Sequence, residues 1–296
     1  MKYHFWKMHG AGNDFILLDD RPACFPRHDP ALIRRLCDRR TGIGSEGLLL
    51  IQSSRRAHCR MRFFNPDGRE AAMCGNGARC LARLACDLGA APPKMQIETA
   101  AGLVEAEVLA KAVRIKIGNP TDCRCHQNLS LHGETVRYHA IDTGVPHVVV
   151  ETEALDSVEV GRLGAAIRQH AAFAPAGANV NFMTITGPQD LRARTYERGV
   201  EAETLSCGTG ITACALIAGR LGRVRPPVRV RCRHGDTLEV NYRLTAEGFE
   251  DVTLLGPSAY VFKGQVTIAP RPRKPRARSR RPSRPRAGNL RIPAPR

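Results

Sequence analysis

Two cysteines stand in the same short context. Cys74-Gly75-Asn76-Gly77 leads into the helical apolar pattern Ala78–Leu88, and Cys207-Gly208-Thr209-Gly210 leads into Ile211–Leu221. The offset, 207 − 74 = 133, reaches beyond the motif. Without a gap it sets Glu70 on Glu203, Gly75 on Gly208, Gly77 on Gly210, Ala82 on Ala215, Ala85 on Ala218, Leu88 on Leu221 and Gly89 on Gly222. Each thiol is thus expected at a helix N-terminus, where free N–H groups and the positive end of the dipole gather. A free thiol titrates near ~8.5, a helix terminus contributes up to ~2 kcal/mol, and ~1.4 kcal/mol is one pKa unit. Lowering the value by one unit raises the thiolate share at pH 7 from about 3% to about a quarter. Two half-poised thiols on opposite faces of one carbon can remove a proton from one side and deliver it to the other, which inverts a stereocentre. The glycine-rich N–H cradles can hold a carboxylate and the charge that develops on it.

A repeat of 133 residues is too long for a solenoid and implies two similar domains, each with a strand, a loop, Cys-Gly-x-Gly and a helix ending at glycine. Short alternating strands are predicted at Lys2–Lys7, Phe15–Leu18, Leu48–Ile51, His58–Phe64, Val113–Ile117, Val148–Val150, Val180–Ile185, Leu191–Tyr196, Val228–Cys232 and Leu238–Tyr242. Besides the two motif helices, one is predicted over Pro30–Arg40, capped by Asp29 with Pro30 at its first position, and another near Val158–His170. The fold class is α+β.

The net charge of +17 suggests a nucleic-acid binder until it is divided along the chain. Residues 270–296 hold ten Arg, one Lys and no acid, so the rest carries 45 − 11 = 34 basic against 28 acidic residues, a balance of +6. That segment, with seven prolines, reads as a disordered basic tail, either a passive solubilising extension or a weak contact for nucleic acid or an anionic surface. A catalytically inert binding protein would instead carry a basic face on its body. No apolar run approaches the ~18 residues of a membrane span, and the N-terminus lacks a signal-peptide apolar region, so no membrane insertion is expected. Eleven cysteines in a long chain, an odd number, read as reduced thiols of a cytoplasmic protein.

Two motifs are decoys. Gly42-Ile43-Gly44-Ser45-Glu46-Gly47 matches G-x-G-x-x-G, but a helix precedes it and a strand follows, the reverse of the dinucleotide-binding order. Cys123-Arg124-Cys125-His126 lacks the spacing of a zinc site and reads as a loop. No lysine context marks a pyridoxal Schiff base.

Over residues 1 to about 268 the chain resembles the diaminopimelate epimerases. The resemblance rests on Lys7-Met8-His9-Gly10-Ala11-Gly12-Asn13-Asp14-Phe15, Phe64-Asn65-Pro66-Asp67-Gly68, Cys74-Gly75-Asn76-Gly77-Ala78-Arg79, Gly177-Ala178-Asn179-Val180-Asn181-Phe182, Tyr196-Glu197-Arg198-Gly199 and Cys207-Gly208-Thr209-Gly210, in that order. It implies a cofactor-independent isomerase that interconverts L,L- and meso-2,6-diaminopimelate in lysine and peptidoglycan-precursor synthesis. Cys74 and Cys207 would be the acid–base pair, Cys74 donor and Cys207 acceptor in one direction. Gly75, Asn76, Gly208 and Thr209 would hold the reacting carboxylate. Asn13, Asn65, Asn179 and Arg198 would bind the substrate, largely its distal end. His147 and Glu197 would tune the thiols, Glu197 also touching substrate.

The resemblance further implies two pseudo-symmetric domains, each a curved mixed β-sheet around a central helix, with the active site in the cleft between them. Residues 1–118 plus a returning strand near 260–269 would form the first domain and 119–259 the second, in a homodimer. Two positions depart from the pattern. Gly47 stands where some members have Gln, and Val145 where many have Asn before Pro-His. Another isomerase on the same scaffold is the nearest rival, but proline racemases and hydroxyproline epimerases usually carry Cys-Gly-His-Gly at the first thiol, against Asn76 here, and phenazine-pathway isomerases typically lack the cysteine pair.

Overall fold

The computed structural model describes residues 1–131 and 133–268. The tail at 270–296 lies outside the described residues. The first half of the chain forms β1 (Lys2–Gly10), β2 (Asn13–Asp19), α1 (Pro30–Cys37), β3 (Leu48–Gln52), β4 (Cys59–Phe64), β5 (Glu70–Ala71), α2 (Gly75–Asp87), β6 (Lys94–Thr99), β7 (Gly102–Val108) and β8 (Val113–Lys116). The second forms β9 (Thr121–Leu131), β10 (Glu134–Asp142), β11 (Pro146–Glu151), α3 (Val160–Arg168), β12 (Asn179–Gly187), β13 (Asp190–Glu197), β14 (Ala202–Thr204), α4 (Gly208–Arg220), β15 (Val228–Arg231), β16 (Thr237–Leu244) and β17 (Phe249–Gly256), followed by β18 (Ala259–Thr267).

The 133-residue offset runs through the architecture. It carries α2, residues 75–87, onto 208–220, the bounds of α4, and β1, residues 2–10, onto 135–143, one residue from β10. Pairings repeat as well. β1 joins β2 antiparallel, β2 joins β3 parallel, β3 joins β4 antiparallel and β4 joins β6 parallel. The second half repeats this as β10–β11, β11–β12, β12–β13 and β13–β15. β9 pairs with β10 within the second half, while β18, last in the chain, crosses back to pair with β1 of the first. At the junction β8 and β17 pair antiparallel, with Ile115 opposite Leu254.

Period-two alternation sorts the side chains into layers. In β2, Phe15 and Leu17 face the inner core with α2 while Ile16 and Leu18 face the outer core with α1. In β12, Met183 faces inward while Val180 and Phe182 pack in the layer with α3. Strands buried on both faces read as unbroken apolar runs, as Leu48–Ile51 does. The inner core is continuous across both halves, so α2 and α4 share it.

Two expectations are corrected. α1 ends at Cys37 rather than Arg40, because the Asp38 carboxylate accepts from the amides of Arg40 and Thr41 and turns the chain out of the helix. Cys123–His126 is not a loop but part of β9, an outer strand whose polar, largely exposed sequence hides its pairing with β10.

Candidate active site

Cys74 and Cys207 are the N-cap residues of α2 and α4, both in extended conformation. Gly75 and Gly208 open the helices, and the helix starts meet. Asn76 Nδ2 donates to Ser206 O at 3.0 Å, one residue before Cys207. A Cβ placed on Gly208 would lie 3.5 Å from Asn76 Oδ1. Thr143, between β10 and β11, donates to Thr209 O at 3.2 Å.

The two thiols differ in their partners. Cys207 is 6% exposed; its sulfur accepts from Gly210 N at 3.4 Å and lies 3.5 Å from Thr209 Oγ1. Its thiol also meets the Glu197 carboxylate, which accepts from Thr204 Oγ1 at 2.5 Å. Cys74 is half-buried, and the Gly77 and Asn76 amides turn toward its sulfur without closing a side-chain cap.

The direction of the thiol shifts overturns the expectation of lowered values. Burial pushes the Cys74 thiol up to about 11, against the pull of the Gly77 amide, and Glu197 pushes the same way. Burial also pushes Cys207 well up, with Glu197 next and the charge of Cys74 adding a little. Desolvation penalises the thiolate more than the partial charges of a helix terminus favour it. Burial likewise raises the Glu197 carboxyl, against the hydrogen bonds from Thr204 and Cys207.

His147, on β11, is 1% exposed, and burial, then Arg198, push its imidazole down to about 3, so it is neutral. Asn181 fixes its tautomer. Asn181 Oδ1 accepts from Thr195 Oγ1 at 2.9 Å, and its Nδ2 donates to Val148 O at 2.9 Å and meets His147 Nδ1 at 3.1 Å. Nδ1 therefore accepts and the proton sits on Nε2, which has no hydrogen-bond partner among the described residues.

Asn179 Oδ1 accepts from the Arg198 amide at 2.8 Å, and the Arg198 guanidinium rests on Gly177 O at 3.3 Å. Asn13 opens β2, and its Oδ1 is buried without a partner among the described residues. Asn65 lies exposed in the turn after β4, closed by Gly68 N on its carbonyl. A depression of about 490 Å³, lined by residues including His58, Lys94, Glu107 and Arg114, holds neither thiol.

The sequence reading missed Glu46, Arg79 and Asn181. The offset itself could have flagged the first, since 46 + 133 = 179, just as 65 + 133 = 198 and 14 + 133 = 147. Burial, then Asp14, push the Glu46 carboxyl up to about 7, and Glu197 adds to the shift. At the neighbouring departure, a Cβ on Gly47 would lie 2.5 Å from the Phe63 ring and 2.9 Å from Phe64 O, so this backbone leaves no room for a side chain.

The profile of the family described as Diaminopimelate epimerase matches residues 5–122 and 139–251. The chain belongs to the diaminopimelate epimerase family. Curated epimerases of that name agree: one from Aquifex aeolicus is 39% identical over 274 residues, covering 89% of this chain and 97% of the relative. One from Chlorobaculum tepidum is 41% identical over 266 residues, covering 88% and 100%. Solved structures share the fold. A PhzF-family phenazine biosynthesis protein of Bacillus anthracis superposes with a TM-score of 0.71 at 16% identity, over 90% of this chain and all of its own. A probable proline racemase of Agrobacterium radiobacter gives 0.68 at 17%, over 90% and 94%. As a diaminopimelate epimerase the chain is an isomerase, acting on a small molecule. Among the described residues no helix is long and apolar enough to cross a membrane.

Proposed function

We propose that Cys74 and Cys207 interconvert L,L- and meso-2,6-diaminopimelate by proton transfer on opposite faces of one α-carbon. A thiolate on one side takes the α-proton, the thiol on the other gives its proton to the carbanion, and the pair ends with its roles exchanged. The route needs no cofactor. The observation that carries the reading is that two thiols cap two equivalent helices whose starts are tied together by Asn76 and Ser206. Because burial opposes ionisation of both thiols, the free enzyme holds them largely protonated. Glu197, bonded to Cys207, is the group placed to receive its proton. Neutral His147 offers an N–H, so it tunes the site as a donor and not as a base.

The amides of Gly75, Asn76, Gly208 and Thr209 would hold the reacting carboxylate, with Asn13, Asn65, Asn179 and Arg198 on the distal amino-acid end. The Arg198 guanidinium, held on the carbonyls of Ala176 and Gly177, suits a distal carboxylate. In this reading residues 1–118 with 260–269, and 119–259, are the two domains flanking the cleft, and the enzyme serves lysine and peptidoglycan-precursor synthesis in the cytoplasm. A homodimer is supported by Tyr260, Val261 and Phe262, exposed at 45%, 56% and 49% on the outer strand β18. Residues 270–296 would contact anionic surfaces or nucleic acid weakly.

The test is incubation of the full chain with L,L-diaminopimelate in D₂O. The meso isomer should appear together with α-deuterium. Absence of the meso isomer would end the assignment, and its formation without deuterium would end the proton-transfer route.

A further inference from the structure

Beneath the two motifs lies a charge that the proton-transfer scheme does not use. Arg79, one turn into α2, is 0% exposed. Its guanidinium fills a slot made by three glycines: added Cβ atoms would lie 3.1 Å from Nη2 at Gly10, 3.0 Å from Nε at Gly256 and 3.9 Å from Nη1 at Gly208. Nη2 donates to Asn76 Oδ1 at 2.9 Å and Nε to Pro257 O at 3.3 Å. Nη1 is buried without a partner among the described residues, on the side of the α4 N-terminus.

Among the described residues no carboxylate pairs with this cation; Asp236 acts on it only as a weaker, longer-range charge. A buried cation so placed is costly unless something compensates it. The slot is not repeated, since 79 + 133 = 212 and Thr212 spends its hydroxyl on Gly208 O at 2.9 Å. The Arg79 guanidinium thus lies against both helix starts, bonded to Asn76 and beside Gly208.

We propose that Arg79 is a positioning residue, whose guanidinium orients Asn76 across to Ser206 and supplies the buried positive charge that draws an α-carboxylate to the paired helix N-termini. The inference rests on the reading that the two thiols act on an amino-acid α-carbon. The chain of contacts is Arg79 to Asn76 to Ser206 O, so one side chain holds the first cradle against the second. As the α-proton leaves, negative charge grows on the carboxylate, and a preorganised cation there is worth more in the transition state than in the ground state. The cation also favours the Cys74 thiolate, whereas Glu197 disfavours both thiolates.

The experiment uses the full chain as Arg79→Gln and Arg79→Lys, with circular dichroism to confirm folding. Two readings are taken: kcat and KM for L,L-diaminopimelate, and the pH dependence of iodoacetamide alkylation at Cys74 and Cys207, resolved by peptide mass. For Arg79→Gln we expect kcat to fall about a hundredfold with KM changed less, the size of losing one stabilising donor. The Cys74 alkylation curve should move to higher pH while that of Cys207 stays. Arg79→Lys should keep the Cys74 curve and recover part of kcat.

A Gln variant within threefold of the parent kcat, or equal displacement of both alkylation curves, would overturn the proposal. Should the Gln variant not fold, Arg79→Lys decides: an unmoved Cys74 curve with a roughly tenfold lower kcat supports it, and undiminished kcat refutes it. Alkylation needs no substrate, so a protein inactive on diaminopimelate would sink the functional reading while leaving this test intact.

Discussion

α2 and α4 begin alike and end differently. Both start with a cysteine cap and a glycine at the first position, and both are thirteen residues long. Yet α4 is apolar almost all round and buries eleven of its residues, whereas α2 buries nine and carries Arg79 and Arg83. Around the sulfurs the contrast is sharper. Cys207 has a carboxylate, a hydroxyl and an amide as partners; Cys74 has two amides turned toward it and a guanidinium beneath. Duplication supplies matched geometry, which the proposed two-thiol route would use on opposite faces of one carbon. Divergence of the neighbours then gives the matched groups unequal electrostatics.

The strongest attack on the comparison removes one thiol at a time. Cys74→Ala and Cys207→Ala should each lower epimerisation by about 10³-fold or more, since a positioned acid or base contributes ~10²–10⁴-fold. The fold should survive both changes. Near-normal turnover by either variant would mean that the halves are not partners in one reaction.

A glycine exchange sharpens the same contrast. A Cβ on Gly210 would lie 2.2 Å from Asn181 Oδ1, the atom that takes the Thr195 hydroxyl, whereas on Gly77 it would lie 3.2 Å from a Leu49 methyl. Gly210→Ala should therefore lose about 3 kcal/mol in urea unfolding and Gly77→Ala about 1 kcal/mol, within the range of overpacking penalties. Equal losses would show that the two cradles are packed alike after all.

Acid stability separates another equivalent pair, Asp14 and His147. Burial alone would raise Asp14, but hydrogen bonds from Arg39 and Lys7 outweigh it and hold the carboxyl low. Its contribution is present above the ordinary carboxylate value and is lost as pH falls below about 4. The buried His147 is lowered to about 3, so its contribution is present above the ordinary ~6.5 and drains away as pH falls from there toward 3. Urea midpoints measured from pH 7 to 4 should fall for the parent and fall less for His147→Gln. Parallel curves would show that protonation of His147 costs nothing.

The smallest effect is expected from the chain end. Stopping at Ala269 should leave kcat and KM unchanged within twofold, because no motif lies beyond it. Salt-sensitive nucleic-acid binding by the full chain should vanish with the truncation. Salt-insensitive binding retained by residues 1–269 would place the basic face on the body instead.

Much of the fold was legible because buried strands carry their own pattern. Leu48–Ile51 and Val148–Val150 lie between layers and read as apolar runs. β9 and β10 were not read, since Thr121–Gln127 is polar and largely exposed and its strand is held by backbone pairing with β10. Arg79 stayed hidden for a different reason. An arginine in a helix reads as a solvated face, and only three glycines distant in sequence make the slot that buries it.

The sequence by itself determined the duplication, the capped helix starts and the family, because these rest on residue identity at fixed spacing. Glycine after cysteine, then an apolar helical period, can be recognised wherever the segment ends up. The tertiary structure decided how the thiols behave. The dipole of a helix start is a local property and argues for a lowered thiol; desolvation is a property of everything packed around it. Once β8 and β17 join the halves and Asn76 reaches Ser206, burial outweighs the dipole and both thiols are raised. That balance depends on neighbours more than a hundred residues away, such as Glu197, whose charge acts on Cys74, and no local pattern records it.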